Sequence, residues 1–379
     1  MHKVASEFAV SNGILKVVDG NPSLLSCTLL PSPVPKVLLC RAQSIQCDFN
    51  LLYHRVAMNH EFLYDVLKPV LAVDPYLRSL WGIYSRIRTN EITQDIVLGL
   101  NRSDYMLHVQ GDLCDTKRTF LANRLQSTVV AAQSDIETQD EAWDSLLIRQ
   151  VEFNMIACSF CGLAQRIVPQ HRISLSLHGI SSDLNNRTWD VKYQLERSLA
   201  IKCPCIQYML ANTKIIQAAI SKPKYLSRFF NPDSSSYLNI LSTFAHQYTL
   251  DEEMGISDST EIQYVINDCL LRPDNYVLKP QREGGGNNYF GEELVQKLKS
   301  IMNHSERKLY VLMERIQPYI FENSILNSTS ASGELNVKKM VTELGIFGAI
   351  LACKDEIFLN EFSGHLLRSK PLESNEGGI

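Results

Sequence analysis

The residues of this chain best suited to chemistry lie between Lys279 and Asn288, in the sequence Lys-Pro-Gln-Arg-Glu-Gly-Gly-Gly-Asn-Asn. Three consecutive glycines have no Cβ, so their backbone N–H groups can curl around an anion. Lys279 and Arg282 add positive charge, and the carboxylate of Glu283 suits a hard cation. The preceding apolar residues, 276–278, predict a strand that runs directly into this turn. The segment therefore predicts a site for a nucleotide and its cation.

Spacing separates this segment from two common nucleotide motifs. It has neither the G-x-x-x-x-G-K-[ST] of a P-loop nor the G-x-G-x-x-G of a dinucleotide-binding turn. A surface hairpin is the alternative interpretation, since glycine and asparagine are ordinary residues in hairpin loops. A hairpin does not need three charged residues beside a triple glycine, which favours the nucleotide site.

A second candidate site ends the predicted strand of residues 146–152. The period of two in a strand places Glu152 and Asn154 on the same face. One carboxylate and one amide oxygen suit Mg²⁺, which accepts few protein ligands and keeps phosphate and water for the rest. Taken alone, the pair is also what a solvated strand face would show. We expect Glu283 to complete the set.

Three further features could contribute to such a site. Lys214 lies in a helix-prone stretch, and the backbone of residues 313–316, at the end of an apolar strand, could hydrogen-bond an adenine. In an extended chain Arg368 and Lys370 lie on one side, where they could hold a carboxylate and a phosphate. Each feature has an ordinary alternative: an exposed lysine, a strand end and two exposed cations.

Composition limits the class of protein. The chain has 379 residues, 45% of them hydrophobic and 21% charged, which is typical of a globular protein with two or three domains. The net charge of −4 argues against extensive nucleic-acid binding but permits a local basic pocket. No apolar run is long enough to span a bilayer, and Glu7 interrupts any signal-like start. We therefore expect a cytoplasmic protein that has neither nucleic acid nor membrane as a partner.

The ten cysteines are expected to be thiols. Cys158 and Cys161 have a spacing found in zinc and thioredoxin-like sites, whereas Cys203 and Cys205 are too close together for a zinc knuckle. No pair of histidines stands nearby at ligand spacing, so small buried side chains are the preferred interpretation.

The elements that must position these residues alternate between helices and strands. Helical spacing covers 37–52, 61–71, the residues after Asp74-Pro75, 189–210, 214–219 and 292–301, and strands are predicted at 95–100, 146–152, 309–314 and 340–347. A polar turn is predicted at 101–104, and the polar stretch 112–147 is interpreted as an insertion. This alternation predicts an α/β or α+β enzyme without internal repeats.

Residues 279–288 together with Gly291-Glu292-Glu293 closely resemble the ATP-binding glycine loop of eukaryotic-type glutathione synthetases. Further stretches agree in the same order along the chain: 48–52, 98–106, 152–154 with 159–160, 195–198 with 202–204, 343–348 and 364–370. The matches run from about Leu30 to Gly378, and the glycine loop is the most specific of them.

The resemblance implies an ATP-grasp fold and an ATP- and Mg²⁺-dependent ligation of γ-glutamylcysteine and glycine to glutathione through an acyl phosphate. It also implies a homodimer. We expect an N-terminal helical region with the first core strand at 1–110, a flexible insertion at 111–148, a magnesium and substrate region at 149–185, and the ATP-binding domain with its glycine-rich lid at 186–379.

The same resemblance implies roles for individual residues. Glu152, Asn154 and Glu283 would hold Mg²⁺, and Arg368 and Lys370 would be catalytic. Nucleotide contacts are expected from Lys214, Lys279, Pro280, Gln281, Arg282, Glu283, Gly284, Gly285, Gly286, Asn287, Asn288, Phe290, Met313, Glu314, Arg315, Ile316, Glu343, Lys370 and Glu376. Substrate contacts are expected from Arg102, Ile156, Ala157, Cys158, Ser159, Arg368 and Ile379.

The chain also departs from the family pattern. Between 183 and 189 it has no counterpart of a sizeable substrate-binding region, and it stops at 377–379 where the family continues. Phe290 replaces a tyrosine, Glu376 replaces an aspartate, and residues 157–158 replace small residues of the peptide pocket. The nucleotide site is therefore expected to be more complete than the peptide site. The alternative function is a non-catalytic ATP-binding relative that acts as a regulatory or structural partner.

Overall fold

The computed structural model describes residues 6–7, 10–11, 15–18, 20–29, 32–90, 94–109, 146–156, 186–281, 287–326 and 337–374. Residues 111–145 of the predicted insertion lie outside them, whereas residues 146–148 belong to a strand. No helix among the described residues is both long and apolar enough to cross a membrane.

Three consecutive helices between residues 36 and 89 confirm the helices predicted there. They are α1 (Lys36–Met58), α2 (His60–Leu71) and α3 (Pro75–Thr89). The side chains of Asn59 and Asp74 accept hydrogen bonds from the backbone N–H groups of Phe62 and Leu77, at the start of α2 and α3. These caps satisfy donors that the first turn of a helix leaves without a partner.

Further helices follow: α4 (Asn186–Arg197), α5 (Ile206–Ala211), α6 (Lys214–Ile220), α7 (Pro223–Leu226), α8 (Ser235–Thr243), α9 (Ser259–Leu271) and α10 (Gly291–Ile301), with 3₁₀ turns at Glu252–Met254, Pro273–Asn275 and Ser305–Leu309. The single helix predicted over 189–210 is wrong. It is divided into α4 and α5 because Pro204 has no backbone N–H and cannot continue a helix.

The strands are β1 (Leu15–Val18), β2 (Asn21–Leu24), β3 (Cys27–Thr28), β4 (Ile96–Val109), β5 (Leu146–Asn154), β6 (Gln247–Thr249), β7 (Tyr276–Pro280), β8 (Tyr310–Glu314), β9 (Phe321–Leu326), β10 (Val337–Cys353) and β11 (Glu356–Pro371). β1 and β2 pair alone. A six-stranded antiparallel sheet has the order β3-β9-β10-β4-β5, with β11 also paired to β10, and a three-stranded sheet has the order β6-β8-β7.

The polar turn predicted at 101–104 is wrong. These residues continue β4, whose backbone pairs with β10 on one side and with β5 on the other. Pairing to two neighbouring strands outweighs the local preference of Asn, Ser and Asp for turns, which is weak evidence wherever tertiary contacts compete.

One face of the large sheet packs against α1 and forms the main core. The ring of Phe153 stacks on that of Tyr53 at a centroid distance of 4.1 Å, and Phe49 lies 5.9 Å from Phe153. Tyr105 meets Phe49 edge-on at 6.4 Å. All four side chains are fully buried. Because side chains alternate along a strand, the residues between these aromatics point to the opposite face.

After the glycine-rich segment, the chain runs back antiparallel to β7. Leu278 and Tyr289 exchange backbone hydrogen bonds of 3.1 Å and 3.0 Å. The ends of the segment are therefore held together as in a hairpin, while residues 282–286 lie outside the described residues.

Candidate functional site

A group of polar side chains shares the face of the large sheet opposite to α1. The strand register sets Asp104 beside Glu152, Arg102 beside Asn154, and Glu343 beside Arg368. Residues directly opposite one another in a sheet project to the same side. The full set is Arg102, Asp104, Glu152, Asn154, Glu343, Arg368 and Lys370. Residues predicted from distant segments of the sequence thus meet on one surface.

Asp104 is the centre of this surface and is fully buried. It accepts hydrogen bonds from Arg102 through Nε at 2.6 Å and through Nη2 at 2.8 Å. Arg368 Nη2 and Asn154 Nδ2 each donate to its Oδ2 at 2.8 Å. Glu343 forms an ion pair with the same guanidinium of Arg368. One carboxylate therefore holds two arginines and the amide of a candidate metal ligand.

Gly345 leaves the space that this arrangement needs. A Cβ built on it would lie 2.9 Å from Cδ of Arg102 and 3.1 Å from Oδ1 of Asp104. Such distances are shorter than nearly all real Cβ contacts, so a larger residue would push the arginine and the carboxylate apart.

A β-bulge brings two lysines to the end of β5. The register shifts between Asp104 and Tyr105, which leaves Val151 as the extra residue of β5. The Val151 carbonyl accepts a hydrogen bond from Nζ of Lys279 at 2.9 Å. Nζ of Lys214, the first residue of α6, lies 2.8 Å from the carboxylate of Glu152. The ammonium groups of Lys279 on β7 and Lys214 on α6 therefore both lie near Glu152.

These charges separate the pKa values of two carboxyl groups on the face. Burial alone would raise the pKa of Glu152, but Lys214 and Lys279, with hydrogen bonds from Lys214 and Asn154, lower it to about 2. Burial and the nearby Asp104 instead raise the pKa of Glu343, and Arg368 offsets only part of that effect. Glu152 is thus an ionised ligand at neutral pH.

An apolar cluster continues the same face beyond Asp104. Met106, two residues further along β4, packs against a small cluster that joins the large sheet to the three-stranded sheet. The buried members are Ala245, Val277, Met313 and Ile316, and Val151 and Phe290 pack against them. The guanidinium of Arg315 lies 5.5 Å from the ring centroid of Phe290. The cluster is apolar, and Val151, which packs against it, is the residue whose carbonyl accepts the hydrogen bond from Lys279.

The backbone that was predicted to hydrogen-bond an adenine lies at this cluster. The N–H groups of Glu314 and Arg315 already donate to the carbonyls of His246 and Asn275 at 2.9 Å and 2.7 Å. Among the described residues, the N–H of Ile316 has no such partner. Ile316 is therefore the member of residues 313–316 whose amide can bind a ligand.

Gln281 connects the start of the glycine-rich segment to α6. Its Oε1 accepts the backbone N–H of Ile215 at 3.0 Å. Its Nε2 is buried and has no hydrogen-bond partner in the described part of the chain. A buried donor of this kind is costly unless a ligand or water satisfies it, so Gln281 is a candidate contact for a bound anion.

Part of the predicted site lies outside the described residues: Arg282, Glu283, Gly284, Gly285, Gly286, Ala157, Cys158, Ser159, Glu376 and Ile379. Cys161 lies outside them as well. Ile156, two residues beyond the end of β5, is 38% exposed. Cys203 is exposed and Cys205 is buried. Across the described ranges, no cluster of three or more His, Cys, Asp or Glu side chains could hold a metal by itself.

Asp104 lies at the centre of this polar face, and the sequence analysis did not predict it as a site residue. It lies two residues after Arg102, the same spacing that identified Glu152 and Asn154. The signal was therefore present, but the turn predicted at 101–104 removed these residues from any strand face.

The donors at the end of β5 fit Mg²⁺. Glu152 is ionised and Asn154 carries a carboxamide oxygen, and both are hard oxygen ligands. Mg²⁺ usually binds through one or two protein carboxylates together with phosphate oxygens and water, so a third clustered side chain is not required.

Comparisons with known proteins agree with the fold and identify the family. The family model described as eukaryotic glutathione synthase, ATP binding domain, matches residues 1–379. The glutathione synthetase of Xenopus laevis is 29% identical over 450 aligned residues, and that of Homo sapiens is 30% identical over 449; each comparison covers 99% of this chain and 93% of the relative.

A solved structure is also similar to this chain. The glutathione synthetase-like effector from Globodera pallida, in its apo form, gives a TM-score of 0.65 at 20% identity, covering 98% of this chain and 93% of the other. This likeness concerns the fold, a mixed helix and sheet arrangement of the ATP-grasp type. The resemblance first indicated by the glycine loop is confirmed: the chain belongs to the eukaryotic glutathione synthetase family of ATP-dependent ligases.

Proposed function

We propose that this chain is a Mg²⁺- and ATP-dependent ligase that joins γ-glutamylcysteine to glycine and so forms glutathione. The observation that carries the proposal is the polar face built on β4, β5, β10 and β11. It combines oxygen ligands for a cation, lysines for phosphates and arginines for a substrate carboxylate. Ligation of a carboxylate at the expense of ATP requires all three.

The lysines act on the phosphates. Bound Mg·ATP supplies the phosphoryl group that activates the peptide carboxylate. Glu152 and Asn154 would hold the cation, and Lys214 and Lys279 would neutralise charge that develops on the transferred group. These lysines are only 7% and 8% exposed, so their charges act in a medium of lower dielectric constant than water.

The arginines act on the substrate. Arg102 and Arg368 present planar guanidinium groups that match a carboxylate, and Lys370 lies on the same face. Their proximity to Glu152 would bring the carboxylate close to the phosphates, which is where positioning accelerates a two-substrate reaction.

The apolar cluster is proposed to bind the adenine ring. Ala245, Val277 and Met313 offer the walls, and the N–H of Ile316 is a donor for a ring nitrogen. The guanidinium of Arg315, which lies over the ring of Phe290, would cover one side of the adenine site.

The proposal includes a homodimer, as the sequence resemblance implies, and a cytoplasmic location, as the composition leads us to expect. Sedimentation equilibrium on the purified chain, with and without Mg·ATP, measures the mass directly. A monomer at micromolar concentration in both conditions would contradict this part.

ADP release provides the main test. We expect release to require ATP, Mg²⁺, γ-glutamylcysteine and glycine together, with glutathione identified by mass spectrometry. Glu152→Gln should abolish most turnover, whereas the control Glu356→Gln, at the exposed opposite end of the β10–β11 pair, should not. ADP release that does not depend on both γ-glutamylcysteine and glycine would contradict the proposed ligase function.

A second candidate function is nucleotide binding without ligation. One observation favours it: the Xenopus comparison extends over 450 aligned residues while this chain has 379, so the relative carries residues that have no counterpart here. The sequence places such a gap between 183 and 189. Tight Mg·ATP binding in calorimetry, without substrate-dependent ADP, would select this alternative.

A further inference from the structure

The buried carboxylate of Asp104 has no role in the function proposed so far. Three donors converge on its Oδ2, since Nη2 of Arg102, Nη2 of Arg368 and Nδ2 of Asn154 each lie 2.8 Å from that atom. Two guanidinium groups that meet at one oxygen repel each other unless a negative charge lies between them.

We propose that Asp104 is a positioning residue for the ligation. It holds the guanidinium groups of Arg102 and Arg368 side by side as one receptor for a substrate carboxylate, and it ties this receptor to Asn154 at the cation site. The inference rests on the proposed function, because it assumes that the arginines meet the peptide.

The geometry leaves Arg102 little freedom. Its contact with Asp104 is bidentate, through Nε at 2.6 Å and Nη2 at 2.8 Å, which fixes both the position and the plane of the guanidinium. The Cδ of Arg102 lies in the space that a Cβ on Gly345 would need. The orientation of Arg102 is therefore set by Asp104.

The two acids that contact Arg368 differ in exposure. The side chain of Asp104 is 0% exposed, whereas that of Glu343 is 27% exposed. An incoming carboxylate can replace Glu343 at Arg368 more readily than it can replace Asp104, because the side chain of Glu343 is partly exposed. Asp104 cannot leave without depriving the buried donors of Arg102 and Asn154 of their acceptor. Asp104 is thus the permanent partner, and Glu343 occupies the position that the substrate takes.

Binding measurements on Asp104→Asn test the proposal, because asparagine keeps the shape and removes the charge. We expect the affinity for γ-glutamylcysteine, measured by calorimetry with Mg²⁺ and a non-hydrolysable ATP analogue, to fall at least about tenfold. The affinity for the analogue alone should fall by a clearly smaller factor than the affinity for the peptide. Ser103→Ala is the matched control: Ser103 is equally buried on β4 but faces α1 and accepts a hydrogen bond from Gln150.

A coupled pair of variants separates positioning from a purely structural role. If Asp104 acts through Arg368, the double variant Asp104→Asn/Arg368→Lys should bind the peptide no more than about twofold more weakly than the weaker single variant. Independent roles would multiply the two losses instead. Should Asp104→Asn fail to fold, Arg102→Lys replaces it, because lysine keeps the charge but loses the bidentate contact and should weaken peptide binding about tenfold.

The outcomes distinguish this inference from the proposed function. Peptide affinity retained in Asp104→Asn, or in Arg102→Lys where that variant is used, overturns the inference and leaves the ligase intact. Peptide binding by the unaltered chain without ADP release overturns the ligase, while the variants still decide the role of Asp104. Nucleotide binding without any peptide binding overturns both.

Discussion

The two faces of the large sheet use the same strands for opposite purposes. On the face toward α1, Tyr105 and Phe153 are fully buried among aromatic rings. On the other face their sequence neighbours Asp104 and Asn154 lie in a network of charges and amides. Adjacent residues of β4 and β5 therefore belong to different environments, one in the aromatic core and the next on the ionic surface.

The difference shows where stability and function are separated in this fold. Burial of aromatic area is strongly favourable, whereas a buried ion network roughly balances its desolvation cost against its mutual attraction. The aromatic face is therefore expected to contribute more stability than the ionic face, which is free to be specialised for ligands. Variants on the aromatic face should mainly lower the free energy of unfolding, and variants on the ionic face should mainly weaken ligand binding or turnover.

The largest expected effect is on the aromatic face. Phe153→Ala removes a side chain that stacks on Tyr53 at 4.1 Å and leaves a cavity beneath β5, so the free energy of unfolding should fall by about 3–5 kcal/mol. Urea unfolding followed by fluorescence measures the change. Leu195→Ala, at a side chain that is 58% exposed, serves as the control and should cost less than about 0.5 kcal/mol. A loss below about 1 kcal/mol for Phe153→Ala would contradict the assignment.

Lys214→Met tests the ionic face next. Methionine keeps much of the packing but removes the ammonium beside Glu152, so turnover should fall by about 10²- to 10³-fold through lost stabilisation of developing phosphate charge. Steady-state kinetics with saturating substrates measures it. Lys224→Met, at an exposed position on α7, should leave turnover unchanged. Equal turnover in both variants would remove Lys214 from the proposed mechanism.

Much of this organisation was predictable from the sequence. The helices at 37–52 and 61–71 follow from their periodic apolar residues, and the period of two correctly placed Glu152 and Asn154 on one face. The glycine-rich segment indicated the family because its string of residues is long and specific. These signals are local, so a single sequence contains them.

The remainder depends on contacts between distant parts of the chain. Arg368 and Asp104 are separated by 264 positions, and only the register of β10 between β4 and β11 brings them together. No pattern within either segment encodes that register. The division of the helix predicted over 189–210 does not depend on distant contacts. Pro204 lies between the two helices, and a proline that interrupts a helix can be recognised from the sequence alone.

The pH dependence of stability should have opposite signs for two acids on the ionic face. The pKa of Glu152 is lowered to about 2, below the value of about 4.3 in an unfolded chain. Its contribution, up to about 3 kcal/mol, is therefore present above about pH 4.5 and is lost as the pH falls toward 2. Glu152→Gln should flatten the stability curve in this acidic window.

Glu343 should behave in the reverse manner. Its raised pKa means that the folded state binds the proton more tightly, so its contribution is complete below the unfolded pKa and is lost as the pH rises through the folded pKa. Glu343→Gln should therefore gain stability relative to the unaltered chain as the pH increases. Urea unfolding at several pH values measures both variants, and shifts in the same direction would refute the opposed pKa assignments.

The smallest effects are expected from substitutions at two glycines of β10, each of which faces a different side of the sheet. A Cβ on Gly348 would lie 2.6–2.7 Å from the side chains of Asn50 and Gln46 on α1, whereas a Cβ on Gly345 would press on Arg102 and Asp104. Gly348→Ala should cost about 1–3 kcal/mol of unfolding free energy and leave peptide affinity unchanged, because it overpacks only the helix side.

Gly345→Ala is the matched opposite, since it adds the same methyl group to the same strand. It should weaken peptide binding at least about tenfold through displaced arginine and carboxylate groups, because buried charged contacts lose energy steeply with distance. Calorimetry for the peptide and urea unfolding on both variants complete the comparison. If Gly348→Ala weakened peptide binding as strongly as Gly345→Ala, the two faces would be coupled, and the separation of stability from function would not hold.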